Sequence, residues 1–368
     1  MDTPREARAA GVVFTWQIDG DTLLGTVDED GRYYAPAVRP VVPIQITTTL
    51  IDRPQVPPVT VVVVVSDPCG DSVTSANGLG TVEAPFDPSK QGDRQMKRSL
   101  RPLAATAVIF VIAYGMSVLQ FPNMLSTRVL GNFLTDNAFL GITAVGMTFV
   151  IISGGIDLSV GAVIGFTGVL IAVLVSWMGF HPLVAFAIAL GVAGLFGAAM
   201  GFTIHYLQVP PFIVTLAGMF LARGGASIIT QDSVPIHHDF YDALGDLMIR
   251  LPGGGRLSFI GMLMIVVFLA GALLAHRTKF GSYVYALGGN AVSASLMGVP
   301  VAETTVRIYM LSSMLAALAG IVFTLYTSAG YPLAAVGVEL DAISAVVIGG
   351  TLLTGGYGFV LGTFVGVM

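Results

Sequence analysis

From Leu103 onward the chain alternates between apolar blocks and short polar connections. A hydrocarbon core of ~30 Å is crossed by roughly 20 apolar helical residues. Blocks of that order lie at 103–121, 129–152, 158–178, 182–206, 211–230, 258–275, 306–327 and 338–354. A ninth starts at Tyr357 and is cut off at Met368. An apolar run without an aqueous end predicts a helix that continues beyond the last residue, so the chain reads as C-terminally truncated. Residues 103–368 are therefore expected to form an all-α polytopic membrane bundle of about 8 spans plus a truncated ninth.

The pattern is different ahead of this region. Runs rich in β-branched residues, VVFTWQID, LLGTV, RYYAP, IQITTTLI and VTVVVVV, are punctuated by turns such as DGD at 19–21 and DEDG at 28–31. Alternation broken by turn residues at short intervals predicts a small N-terminal all-β domain over residues 1–65. Residues 66–93 are rich in Gly, Ser, Asp and Pro without apolar periodicity, and Arg94, Lys97, Arg98 and Arg101 follow. The stretch 66–102 thus reads as a linker and basic membrane-proximal segment.

Composition sharpens the division. The chain is 54% hydrophobic and 11% charged, with a mean hydropathy of +0.82, too apolar for a soluble domain of this length. Its net charge of −5 and only three lysines exclude a phosphate-neutralising surface, so no nucleic-acid partner is expected. One cysteine, Cys69, rules out an internal disulfide framework. Met1–Ala10 is charged and no apolar run of signal length follows it.

Flanking cations suggest an orientation. With the N-terminus in the cytoplasm, the inner flanks hold Arg94, Lys97, Arg98, Arg101, Arg277, Lys279 and Arg307, against Arg128, Arg223, Arg250 and Arg256 outside. Residues 276–305 are then inside and 231–257 outside.

Within the apolar region two interruptions are candidates for a pathway or a helix break. In SGGIDLSVG at 153–161, Gly154 and Gly155 interrupt a span while Asp157 and Ser159 precede the next. Asp157 suits a helix N-cap, whose carboxylate accepts backbone N–H bonds; alternatively it shapes the pathway, because an ionisable residue facing lipid is costly. In VPPF at 209–212, Pro211 suits a first helical turn and Pro210 restricts the residue before it, as either a plain helix start or a re-entrant break. Gly pairs such as Gly161 and Gly165, or Gly197 and Gly201, have the spacing that lets helix backbones approach closely.

Enzyme signatures are missing: the sequence has no GxxxxGK[ST] loop and no GxSxG elbow. The chain is expected to be no enzyme and to bind no cofactor. His237 and His238, beside Asp232, Asp239, Asp242 and Asp246, lack metal-ligand spacing and read as a solvated polar loop. Tyr309, Met310 and Tyr326 read as packing residues.

The segment FGSYVYALGGNAVSASLMGVPVAETTVRIYMLSS at 280–313 resembles the coupling segment of bacterial sugar ABC importer permeases. Gly281, Ala286, Gly288, Gly289, Asn290, Ala294, Gly298, Val299 and Val301 fit that pattern, while Ser293 stands where the family usually has Ala. GGIDLSVG at 154–161, VPPFIVTLAGMFLARGG at 209–225 and GVELDAISAVVIGGTLLTGGYGFVLGTFVGV at 337–367 match the same family in the same order. The group is the ribose/galactose/galactofuranose type, with the galactofuranose permeases the nearest match. Residues 11–65 similarly resemble a bacterial immunoglobulin-like module.

The resemblance implies a permease subunit in the bacterial inner membrane that forms the translocation pathway for a small sugar. Its partners would be a cytoplasmic ATP-binding subunit that holds the ATP, a periplasmic sugar-binding protein, and a second permease copy or paralogue. Gly288, Gly289, Asn290, Ala294, Gly298 and Val299, on a short helix near 290–299, would couple to the ATPase. Such permeases do not usually carry an immunoglobulin-like module, so the sequence reads either as a natural fusion that serves a further contact or as an incorrect join of two genes, the second being favoured. Two other readings stay open: a stand-alone secondary transporter or channel, with Asp157, Glu339 and Asp341 as relay, and a membrane-anchored interaction protein using the β-module.

Overall fold

The computed structural model describes residues 111–112, 114–250 and 252–368, together with five short N-terminal strands. The chain divides into two units, 1–91 and 92–368. In the first, β1 (Phe14–Asp19) pairs antiparallel with β4 (Ile44–Leu50), in register Phe14↔Leu50 to Asp19↔Gln45. β4 also pairs antiparallel with β5 (Val59–Val63), and β2 (Thr26–Val27) with β3 (Tyr33–Tyr34). The rest of the β-module expected at 1–65 and all of the 66–102 segment lie outside the described residues, as do residues 103–110 of the first expected span.

The second unit is helical. After helical residues 114–120 and a short 3₁₀ turn come α1 (Thr127–Asp136) and α2 (Ala138–Ile152), bent by 56° at Asn137. Then follow α3 (Val160–Ala172, continued as a π turn to Trp177), α4 (Pro182–Tyr206) and α5 (Pro211–Ile229). A polar excursion carries β6 (Val234–Pro235), α6 (Asp239–Asp246) and the hairpin β7 (Met248–Arg250) and β8 (Arg256–Ser258). α7 (Phe259–Arg277), α8 (Lys279–Gly289), α9 (Ala291–Leu296) and the long α10 (Val301–Thr327) come next. β9 (Ala329–Gly330), α11 (Val338–Ile348) and α12 (Val360–Val367) complete it.

Side chains set several of these starts. Ser258 Oγ accepts the Gly261 N–H at 3.1 Å, Thr278 Oγ1 that of Gly281 at 3.2 Å, and Pro182 occupies the first turn of α4. α2 is the central helix: thirteen of its fifteen residues are buried, with α10, α7 and α11 packed beside it. α5 instead exposes Phe212, Ile213, Phe220, Leu221 and Ile228, the outward apolar face a membrane helix shows to lipid or to another helix.

Among the described residues five helices are long and apolar enough to cross a membrane, or six if the bent α1–α2 pair is one span. Six of the eight expected spans fall on these helices, and the first, 103–121, lies in part outside the described residues. The block 338–354 is not a span: α11 has eleven residues, about 16 Å of helix, and ends at Gly349 and Gly350, the latter at φ +90°. Hydropathy joined α11 to the loop behind it because neither part is polar. The chain instead returns from α10 along α3 as the short strand β9 followed by a run of turns over 332–337. Gly330 lies against Gly168, the carbonyls of Pro332 and Ala334 against Gly165, and that of Ala335 against Gly161. Non-helical backbone at such depth is tolerated where protein covers it.

Candidate functional site

The α2–α3 break is built from the glycines. Gly154, at φ +82°, takes the left-handed position just past α2, and the N–H groups of Gly154 and Gly155 donate to Ile151 and Val150 at 2.9 Å. A side chain on Gly155 would collide with the Tyr309 hydroxyl, so the turn and α10 are in direct contact.

Asp157 is completely buried. Its Oδ1 accepts the Ser159 N–H at 2.9 Å and the Ser159 hydroxyl at 2.6 Å, while Oδ2 accepts the Ser312 hydroxyl at 2.7 Å. The carboxylate therefore satisfies an amide at the start of α3, as a cap would, and also ties the break to α10. A buried carboxylate is tolerable only with such saturation. Ser312 carries no sequence signal of its own and sequence reasoning missed it. Thr215 Oγ1 donates to the Ile156 carbonyl at 3.3 Å, joining α5 to the same turn.

VPPF is a plain helix start. α4 and α5 are joined by a four-residue turn, 207–210, with Gln208 at φ +52°, Pro210 at the cap and Pro211 as the first helical residue.

The 279–299 segment forms two helices. Asn290 ends α8 and caps α9, its Oδ1 accepting the Ser293 N–H at 2.9 Å. Gly298, at φ +83°, closes α9, and the Val299 N–H returns to the Ala294 carbonyl at 3.0 Å. Ala294 is buried, while Val292, Leu296 and Met297 project outward. The resemblance-matched residues thus build the short helix, and the surface it offers belongs to unmatched ones. Gly289 is open, but Gly288 is pressed against the Ile152 carbonyl.

These pieces converge. A cleft of about 220 Å³ is lined by Gly154, Gly155 and Pro211 from the break and the α4–α5 turn, Ala291 from α9, and Thr305 and Tyr309 from α10. Pro210 is exposed, and Asp157 and Ser159 lie behind the cleft. The Tyr309 hydroxyl is buried and makes no hydrogen bond there.

Beside the cleft, the Tyr285 hydroxyl donates to the Gly358 carbonyl at 2.7 Å and His276 stacks on its ring. Burial, with Tyr357 adding to it, pushes the Tyr285 phenol up to about 12, so it stays a donor. At the other end of α10, Tyr241 of α6 shares a 3.1 Å hydrogen bond with Thr324. His238 caps α6, accepting the Phe240 N–H at 3.1 Å, and its ring meets that of His181. Among the described residues no group of three His, Cys, Asp or Glu could hold a metal ion.

This architecture has relatives. Residues 129–368 match the family described as branched-chain amino acid transport system / permease component. The chain is 59% identical to the inner membrane ABC transporter permease protein YjfF of Escherichia coli (strain K12), over 74% of this chain and 82% of that one. It is 39% identical to the fructose import permease protein FruG of Bifidobacterium longum (strain NCC 2705), over 74% and 82%. To the ribose import permease protein RbsC of Escherichia coli (strain K12) it is 38% identical, over 73% and 82%. No solved structure matches it. The apolar helices, the buried break and these matches agree: the chain belongs to this family of transport-system permease components, which are membrane proteins and not enzymes.

Proposed function

We propose that the chain is the permease subunit of an ATP-driven sugar importer, forming the translocation pathway in the bacterial inner membrane and coupling to a separate ATPase. The observation that carries this reading is the cleft between α9 and the α2–α3 break, since it sets a protruding helix beside a discontinuity inside the bundle. Relatives named for ribose and fructose import support the substrate class. Within that class the sequence blocks favour a galactofuranose-type sugar.

In this reading Val292, Leu296 and Met297 meet a cytoplasmic ATP-binding subunit, with Gly288, Gly289, Asn290, Ala294, Gly298 and Val299 shaping the helix that carries them. Gly154, Gly155, Asp157, Ser159, Pro210 and Pro211 form the break and the turn beside the pathway. The N-terminus is cytoplasmic, so the β6–β8 excursion faces the periplasm, where a sugar-binding protein docks. A second permease copy or paralogue completes the pathway. The N-terminal strands are read as an immunoglobulin-like module with no part in transport.

Co-purification with the cognate ATPase, followed by uptake of labelled sugar into proteoliposomes, tests the reading. Uptake that needs both ATP and the binding protein is expected. Uptake driven by an ion gradient with no ATPase bound would make the chain a secondary transporter.

A further inference from the structure

We infer that the loop 351–358 is the joint through which movement of α8 and α9 reaches the α2–α3 break, an inference that rests on the importer reading above. α9 does not itself press on the break, because the cleft separates Ala291 from Gly154 and Gly155. The connection runs through α8, which meets the Ile152 carbonyl at Gly288, and through the loop that braces this contact.

Its contacts are backbone on backbone. The Gly356 N–H donates to the Ile152 carbonyl at 2.8 Å, closing the end of α2. A Cβ on Gly355 would stand 2.8 Å from the Gly154 nitrogen and 3.0 Å from the Gly288 carbonyl oxygen, so this residue fills the space between break and α8. A Cβ on Gly356 would stand 3.0 Å from the Gly289 Cα. Gly355 and Gly356 sit at φ +82° and +75°, conformations other residues rarely adopt.

The loop is also held to itself and to α8. The Leu352 N–H donates to the Tyr357 carbonyl at 3.1 Å, that of Gly355 to Leu352 at 3.0 Å, and the Tyr285 hydroxyl to Gly358 at 2.7 Å. A side chain squeezed between two elements can change rotamer and absorb a displacement. Glycine backbone cannot, so a shift of α8 is passed on to Gly154 and the end of α2. Beyond that point Asp157 and Ser312 carry it to α10.

The experiment compares wild type, Gly355→Ala, Tyr285→Phe and the control Gly191→Ala, whose added methyl meets nothing within 4 Å. Each is reconstituted with the ATPase and the sugar-loaded binding protein, and ATPase retention, ATP hydrolysis and sugar transported per ATP are measured. For Gly355→Ala and Tyr285→Phe we expect retained ATPase and continued hydrolysis, with sugar per ATP falling roughly tenfold and threefold. Gly191→Ala should match wild type. Wild-type sugar per ATP in both loop variants overturns the inference, as does loss of ATPase binding in parallel with transport. If Gly355→Ala does not accumulate, Tyr285→Phe decides, since it removes only one hydroxyl. A wild type that retains no ATPase overturns the importer reading itself, which is a separate and recognisable result.

Discussion

Gly288 lies against the carbonyl oxygen of Ile152 so closely that no side chain fits between them, whereas the adjacent Gly289 faces open space. The two glycines are indistinguishable in sequence and opposite in packing. Gly288→Ala forces α8 away from α2 and should cost about 1–3 kcal/mol, the usual range for overpacking. Gly289→Ala should stay within about 0.5 kcal/mol of wild type. Thermal unfolding of the detergent-solubilised protein separates the two, and equal melting temperatures would refute the contact.

Asp157 offers a sharper contrast between readings. Replacing it with Ala leaves the Ser159 amide and two hydroxyls without their acceptor in a dry interior, at about 1–3 kcal/mol for each group left unpaired. Asn keeps an acceptor for Ser159 and can donate to Ser312, so its cost is smaller. An importer permease should therefore lose stability in Asp157→Ala and keep ATP-driven uptake in Asp157→Asn. A secondary transporter using this carboxylate as a proton relay would behave oppositely, with Asp157→Asn folded and inactive. Uptake assays beside melting curves distinguish the two.

Much of the bundle was legible because its ends are written locally. Pro182, Pro211 and Ser258 mark helix starts, and the Gly154–Gly155 pair marks the end of α2. What could not be read is which distant groups meet. Ser312, 155 residues from Asp157, is one of two adjacent serines on α10, and nothing local marks it as the partner. Hydropathy likewise cannot separate the end of a helix from an apolar loop behind it, which is why 338–354 reads as one span. The resemblance points to the cap, the buried Ala294 and the closing glycine of α9, but not to the large side chains that the helix turns outward.

That outward surface gives a third prediction. Val292, Leu296 and Met297 are 71%, 84% and 73% exposed, while Ala294 is fully buried. Leu296→Glu or Met297→Glu places a charge on the proposed docking surface without disturbing the helix and should abolish ATPase co-purification at unchanged melting temperature. Ala294→Trp should lose the ATPase too, but together with stability, since no cavity exists for the indole. An ATPase that still binds Leu296→Glu at wild-type level would place the contact elsewhere.

The last prediction concerns a cation that sequence counting treated as a loop flank. Arg223 lies within α5, and its guanidinium donates to the carbonyls of Pro332 and Ala334 at 2.7 and 2.6 Å. Those carbonyls belong to the run of turns packed along α3, outside any helix, at the buried residues Pro332 and Ala334. Both bonds leave Nη1 of a rigid planar guanidinium, whereas a Lys ammonium, with three donors of its own, is a compact, strongly hydrated head on a flexible stem and is held there less firmly. Arg223→Met should free the segment 328–337, seen as faster amide hydrogen exchange there and at the start of α11, and Arg223→Lys should fall between it and wild type. Hydrogen bonds to a charged donor are worth about 1.5–3 kcal/mol each, so exchange governed by local opening should accelerate at least tenfold in Arg223→Met. Unchanged exchange in that variant would mean the segment is held by its packing against α3 alone, with Arg223 contributing nothing to its closure.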